Sequence, residues 1–267
     1  MNAKDLFDAG ELSAAVEQLN QEVRVHPTDS RLRTFLFELL CFAGDYQRAE
    51  RQLDVIAQQS ANLELGTQTY RRVLAGERGR IAVATEDSLP TFLLEPPPFV
   101  ALHLAALRHL GEDKPAEARV LLTQAAEAHP AVRGKVDGQA FSDFSDGDVV
   151  LSPFLEAIIR GRYVWVPFAQ IRRFTVAAPK HLRDLLWAPG TLETLSGPSG
   201  EIFLPVLYSG SFRHQDDLVK LGRMTDWEDA GEGLRRGVGQ RMFFVDDGEK
   251  SILEIREVEF NVNGESN

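Results

Sequence analysis

Asp143, Asp146 and Asp148 crowd around Gly147 in a stretch whose residue types could ligate a calcium ion. With Gly147 at the glycine position of an EF-hand loop, the first, third and last ligand positions fall on Ser142, Phe144 and Pro153. Essential oxygen ligands are then missing, and the stretch reads as a solvated loop. Gly231, Gly233, Gly237 and Gly239 could cradle a phosphate, but they lack the GxGxxG spacing and follow no convincing buried strand, so no dinucleotide site is implied. The six histidines, His26, His103, His109, His129, His181 and His214, form no HExxH pair and have no cysteine companion for a metal. His26 and His129 each precede a proline, which places them at helix ends. Ser196, Ser199, Ser209 and Ser211 lie in glycine-rich turns without the GxSxG arrangement of an activated nucleophile. The expectation is a chain without catalytic, cofactor or metal residues. A hydrolase whose site is assembled from distant residues is the enzymatic alternative, and a deep polar pocket with a paired nucleophile and base would reveal it.

Composition narrows the partners. A chain of 267 residues has room for two cores, and 43% hydrophobic with 26% charged residues is the balance of a globular protein. With 29 Lys+Arg against 40 Asp+Glu the net charge is -11, which repels nucleic acid and anionic lipid alike. Cys41, the single cysteine, sits between Leu40 and Phe42 as helix core and suits a reducing compartment. Met1 to Asp5 show no basic region leading into an apolar run, and no apolar stretch approaches the roughly 20 residues of a membrane span. A cytoplasmic location without membrane insertion is expected.

The elements that must position any site begin with a repeat. Ala9-Gly10-Glu11 is followed by Ala15 and Leu19, and Ala43-Gly44-Asp45 by Ala49 and Leu53 in the same register. Gly10 and Gly44 are separated by the 34-residue tetratricopeptide period, in which each unit is a pair of antiparallel helices. Glycine tolerates the left-handed turn, and the small alanine lets the two helices approach closely. Leu32, Phe35, Leu36, Leu39, Leu40 and Ala43 step by three and four, as do Tyr46, Ala49, Leu53, Ile56 and Ala57. A longer helix is expected over Gly66 to Val83. Pro96-Pro97-Pro98 then starts a further helix, with Gly111 as its turn and Ala116 repeating the five-residue step.

After His129-Pro130 the pattern changes to short β-rich runs, which places a boundary near Gly134 to Gly138. Strands are expected over Tyr163 to Val166, Ile171 to Val176, Glu201 to Leu207 and Gln240 to Val245, and a short helix over Pro153 to Arg160. The last hairpin reads as Met242 to Val245, a turn at Asp246-Asp247-Gly248, and a return strand from Ile252 to Phe260 with a bulge where Val258 and Phe260 fall out of phase. The fold class is therefore multidomain α plus α+β: a tetratricopeptide-like helical array over 1–134, a smaller α+β domain with antiparallel strands over 135–260, and a polar tail over 261–267.

Taken in order, the motifs Leu89-Pro90-Thr91-Phe92-Leu93, Glu95-Pro96-Pro97, Tyr163-Val164-Trp165-Val166-Pro167, Arg183-Asp184-Leu185-Leu186-Trp187-Ala188-Pro189, Leu204-Pro205, Tyr208, Leu221-Gly222-Arg223, Thr225-Asp226-Trp227 and Gly239-Gln240-Arg241 add to the glycine-turn repeat. Together they resemble the ImpE family, also called TagJ, accessory components of bacterial type VI secretion systems. The resemblance covers nearly the whole chain. It implies a non-catalytic cytoplasmic adaptor that binds the N-terminal helix of the sheath subunit TssB and contacts ClpV, the ATPase that dismantles contracted sheaths.

A helical partner docks through anchors spaced three and four residues apart. Phe35, Leu39 and Tyr70 offer one set of contacts in the helical half, and Trp165, Trp187 and Trp227 another in the second half. Core packing competes with docking for both, because large aromatics usually carry core energetics. Asp184, Arg223, Asp226 and Arg241 are expected to form a charged network tying the second half together. A general tetratricopeptide co-chaperone or peptide-binding scaffold is the alternative. Such clamps line basic residues along successive inner helices, whereas Arg31 and Arg33 stand here among acids.

Overall fold

The computed structural model describes residues 1–59, 61–86 and 88–261. Seven helices come first: α1 (Ala3–Asp8), α2 (Leu12–Val25), α3 (Ser30–Phe42), α4 (Tyr46–Gln59), α5 (Ala61–Thr85), α6 (Phe99–Gly111) and α7 (Pro115–Ala128). The strands are β1 (Gly134–Val136), β2 (Gln139–Phe141), β3 (Phe144–Asp146), β4 (Phe154–Ile159), β5 (Arg162–Pro167), β6 (Ile171–Val176), β7 (Trp187–Thr194), β8 (Ser199–Pro205), β9 (Thr225–Asp229), β10 (Arg235–Gly239), β11 (Met242–Val245), β12 (Gly248–Ser251) and β13 (Glu257–Phe260), with a short α8 (Asp217–Lys220) before β9. Helical array and antiparallel α+β portion are thus both present. Asn261 is the last described residue, and the remainder of the expected tail lies outside the described residues.

The hairpins α1–α2, α3–α4 and α6–α7 share one turn. In each, the residue after the turn sends its N–H five residues back at 2.9 Å: Glu11 to the Leu6 carbonyl, Asp45 to that of Leu40, and Lys114 to that of His109. Gly10 and Gly44 hold the left-handed residue of their turns, with φ of +86° and +73°. In the third turn that role belongs to Asp113, at φ 58°, while Gly111 still lies inside α6. The expected step from Gly111 to Ala116 is therefore out of register by two residues. Ala116 is exposed, and Ala118, five residues after Asp113, is buried as Ala15 and Ala49 are.

Eight strands form one antiparallel sheet in the order β2-β1-β13-β6-β7-β8-β4-β5. The stretch Pro153 to Arg160, expected as a helix, is the strand β4, paired with β5 from Phe154↔Pro167 to Ile159↔Arg162. It is buried on both faces, so its run of apolar residues carries no period to tell strand from helix. The last hairpin also differs from expectation. The return strand against β11 is β12, ending at Ser251, whereas Val258 and Phe260 belong to β13 in the large sheet. Their change of phase marks a change of sheet, not a bulge.

Helix α5 lies directly on this sheet. A side chain at Gly76 would stand 2.4 Å from Ile158, so the glycine lets helix and strand touch. One apolar cluster consequently runs from Leu19 and Leu36 in the helices through Leu74 to Ile158, Trp187 and Leu204. On the sheet's other side Phe144 of β3 and Phe243 of β11 stack on one another and meet Phe168, Phe174 and Phe260. The segment from Ser211 to Arg223 returns to the first two hairpins. Arg223 donates to the Phe7 and Asp8 carbonyls at the end of α1, at 2.8 and 2.9 Å, and Asp217 accepts from the Ser13 N–H at the start of α2.

Candidate functional site

The charged residues that reach the centre of the molecule meet where α5 crosses β4. Arg80 of α5 donates through Nε and Nη2 to the two oxygens of Glu156, both at 3.0 Å, through Nη1 to Glu77 at 3.2 Å and through Nη2 to the Leu207 carbonyl at 2.7 Å. The other Glu77 oxygen accepts the Trp187 indole N–H at 3.0 Å. Arg241 approaches from beyond β10 and binds Glu156 and Asp146 with its two terminal nitrogens. Tyr163 donates to Glu156, and the Tyr208 hydroxyl lies 3.0 Å from Asp146. Asp148 holds Arg236 at 2.6 Å and the Gly237 N–H at 3.1 Å.

All of these side chains except Arg236 are buried. Burial pushes the Asp146 carboxyl up to about 6 despite the neighbouring Arg241, and it likewise raises the Tyr163 and Tyr208 hydroxyls and lowers the Arg241 guanidinium. The free space beside Arg80, Glu156 and Asp148 amounts to about 20 Å³, too little for a substrate. Every carboxylate is engaged by an arginine, an indole, a hydroxyl or backbone amides. This arrangement ties helix to sheet; it is built to hold, since removing one partner of a buried pair strands the other. Among the described residues no group of His, Cys, Asp and Glu is placed to hold a metal ion, and no helix is long and apolar enough to cross a membrane.

Several expectations are corrected here. The Asp143 to Asp148 stretch is not a solvated loop, because Asp146 and Asp148 are buried acceptors. The four residues Asp184, Arg223, Asp226 and Arg241 do not form one network: Asp184 accepts the Lys180 and His181 N–H groups, Arg223 caps α1, and Asp226 faces His214 at 3.5 Å. Only Arg241 enters the buried cluster. Sequence reasoning missed the other members of that cluster, Glu156, which Arg241 binds directly, and the Arg80 and Glu77 of α5. The available signal was a lone Glu156 inside an apolar run and a Glu77–Arg80 pair at helical spacing.

Burial divides the six proposed docking residues across both sets. Leu39, Trp165 and Trp187 are buried, with both indole N–H groups bonded internally. Phe35 is half-buried against Phe7, Tyr70 lies between Phe37, Phe203 and the Arg183 guanidinium, and Trp227 lies between Tyr208 and Phe244. None of the six lines the open groove of the helical array. That groove lies between α5 and α6, which touch only lightly, whereas α6 and α7 pack along their lengths. It encloses about 700 Å³ over Val83, Leu104 and Leu107, with Leu89 65% exposed beside it and Glu86 and Glu112 on its rim. Leu104 and Leu107 stand at helical spacing on one face of α6, the arrangement that receives the anchors of an amphipathic helix.

Comparison with known proteins agrees with this architecture. Residues 138–259 match the family model described as ImpE protein. The chain is 37% identical over 260 residues to the type VI secretion system accessory component TagJ of Pseudomonas aeruginosa, covering 97% of this chain and 91% of that protein. The crystal structure of protein VPA1032 from Vibrio parahaemolyticus, at 23% identity, superposes with a TM-score of 0.90 and covers 97% of each chain, which places the two in one fold.

Proposed function

This chain belongs to the ImpE family, and from that membership we propose that it is a non-catalytic accessory component of a type VI secretion system that acts by holding other proteins. The observation that carries this reading is the open α5–α6 groove in an array whose other helices are closely packed. We assign it to the N-terminal helix of the sheath subunit TssB. An amphipathic helix would set apolar anchors on Val83, Leu104 and Leu107 and meet Glu86 and Glu112 with basic side chains. In this reading residues 1–134 form the docking half and 135–260 the base that braces it. Chemistry and ATP use belong to ClpV, whose recruitment to sheath subunits is the adaptor's purpose. The cytoplasm is the compartment in which sheath and ATPase would meet it.

Capture assays with TssB and with TssB lacking its N-terminal helix test the assignment. The intact subunit should be retained and the truncated one lost, and Leu107→Glu should abolish capture without unfolding the chain, since Leu107 is only half-buried. Equal capture of the two forms of TssB would rule out helix recognition.

A further inference from the structure

A second cleft lies on the opposite side of the sheet edge from α5. It encloses about 690 Å³ between the segment 91–93, the β4–β5 turn and the 198–202 stretch. Its floor is apolar, formed by Val164, Leu192 and Ile202, and Phe92 stands in its wall. Thr91 fixes that wall through two backbone hydrogen bonds, to the Tyr163 carbonyl at 2.9 Å and from the Trp165 N–H at 3.1 Å.

The rim carries the opposite charge from the molecule as a whole. Arg160 and Arg162 line the cleft and are exposed, and Arg72 stands behind the turn with its Cβ 3.5 Å from the position a side chain on Gly161 would take. None of these three arginines has a carboxylate partner among the described residues, although acids outnumber bases by 40 to 29. Glu201 is the one acid lining the cleft. The turn itself is unusual. Arg160 and Gly161 both have positive φ, at 50° and 84°, the pattern of a two-residue turn in which asparagine or glycine is favoured at the first position. An arginine there is held in a conformation that disfavours its side chain. Local folding gives no reason for it, whereas placing a cation on the rim does.

We propose that this cleft is a second docking site, which takes an acidic segment of a partner protein in which carboxylates alternate with apolar side chains. The apolar side chains would cover the part-exposed Phe92, Leu93 and Ile159 above the buried floor, and the carboxylates would meet Arg160 and Arg162, where bidentate pairing is available. This site is separate from the α5–α6 groove and does not depend on what that groove binds.

The test uses the full chain and a fluorescein-labelled peptide in which glutamates alternate with phenylalanine and valine. A second peptide carries lysine in place of glutamate, and duplex DNA and phosphatidylglycerol vesicles serve as other anionic probes. The glutamate peptide should bind, the lysine peptide should not, and Arg160→Glu with Arg162→Glu should weaken binding about tenfold, the combined worth of two exposed ion pairs. Arg160→Asn gives the sharper reading: binding falls while Tm rises by about 1 °C, because asparagine tolerates the left-handed turn. The same variants should capture TssB as the parent chain does, which separates this site from the groove. Unchanged peptide affinity in the folded variants, absence of peptide binding by the parent chain, or an arginine-dependent preference for DNA or vesicles would each overturn the proposal.

Discussion

Gly44 in the α3–α4 turn and Asp113 in the α6–α7 turn adopt the same left-handed conformation and close the same backbone hydrogen bond, yet only the first is a glycine. The difference lies in what stands outside the turn. A side chain on Gly44 would come within 2.3 Å of the Phe212 ring, and one on Gly10 within 2.7 Å of Leu218, because the Ser211–Arg223 segment is laid over both turns. The third hairpin is held elsewhere, through His103 of α6, whose ring nitrogen Nδ1 lies 2.8 Å from the Val150 carbonyl. Two hairpins are thus clasped at their turns and one along its helix. Glycine is required where φ and close approach coincide, and φ alone leaves room for aspartate.

Breaking the clasp should have the largest effect. Gly44→Ala combines the cost of a left-handed alanine with displacement of an aromatic ring that also packs on Tyr46, and should lose about 3 kcal/mol of stability in urea unfolding. Gly10→Ala meets the end of a flexible leucine and should lose about half as much. Equal losses would show that backbone conformation alone sets the cost and that the returning segment adds nothing.

The contact that holds the third hairpin is instead sensitive to acid. Burial lowers the His103 imidazole from 6.5 to about 4, so it stays neutral, with Nδ1–H donating to Val150. As pH falls from 6.5 to 4 the unfolded chain takes up a proton that the folded chain refuses. His103 thereby withdraws up to about 3 kcal/mol, complete once pH reaches its folded value. Asp146 acts in the opposite sense: raised from 3.8 to about 6, it gains a proton on folding in the same window, so acid favours its folded form. The two partly cancel in the parent chain, and the comparison must be with His103→Phe. The stability gap between the two chains should close by about 3 kcal/mol from pH 6.5 to 4, whereas parallel pH curves would remove His103 from the account.

These contrasts mark what could be read in the residues themselves. The pattern of Gly10 with Ala15 and of Gly44 with Ala49 is legible because turn and helix packing lie within five positions of one another, whereas the second demand on these glycines, room for Leu218 and Phe212, comes from far along the chain. Glycine does not mark the third turn, where Asp113 fills the same conformation and Gly111 lies inside α6. Phe154 to Ile159 hid its strand because both faces are buried, one by α5, which erases the alternation. The buried cluster was out of reach for a different reason. Arg241 meets Asp146 across 95 positions and Arg236 meets Asp148 across 88, so an acidic loop that looks solvated in isolation becomes core only when the sheet closes. Trp165 and Trp187 are large enough to anchor a partner and equally suited to an interior, and the structure buries both.

The smallest expected effect is the one that tests the comparison most directly. Asp113→Gly relieves a side chain in the left-handed region but adds backbone entropy to the unfolded chain, and the two terms differ by only a few tenths of a kcal/mol. The β9–β10 turn comes close one step further on, where Gly231 lies against Pro115, the first residue of α7. The substitution should therefore raise stability by about 0.5 kcal/mol, read as a Tm increase of about 1 °C. A loss would mean that the Asp113 carboxylate contributes to the start of α7, through the favourable field at a helix N-terminus, more than its backbone conformation costs. The third hairpin would then have its own side-chain clasp, supplied from within the turn.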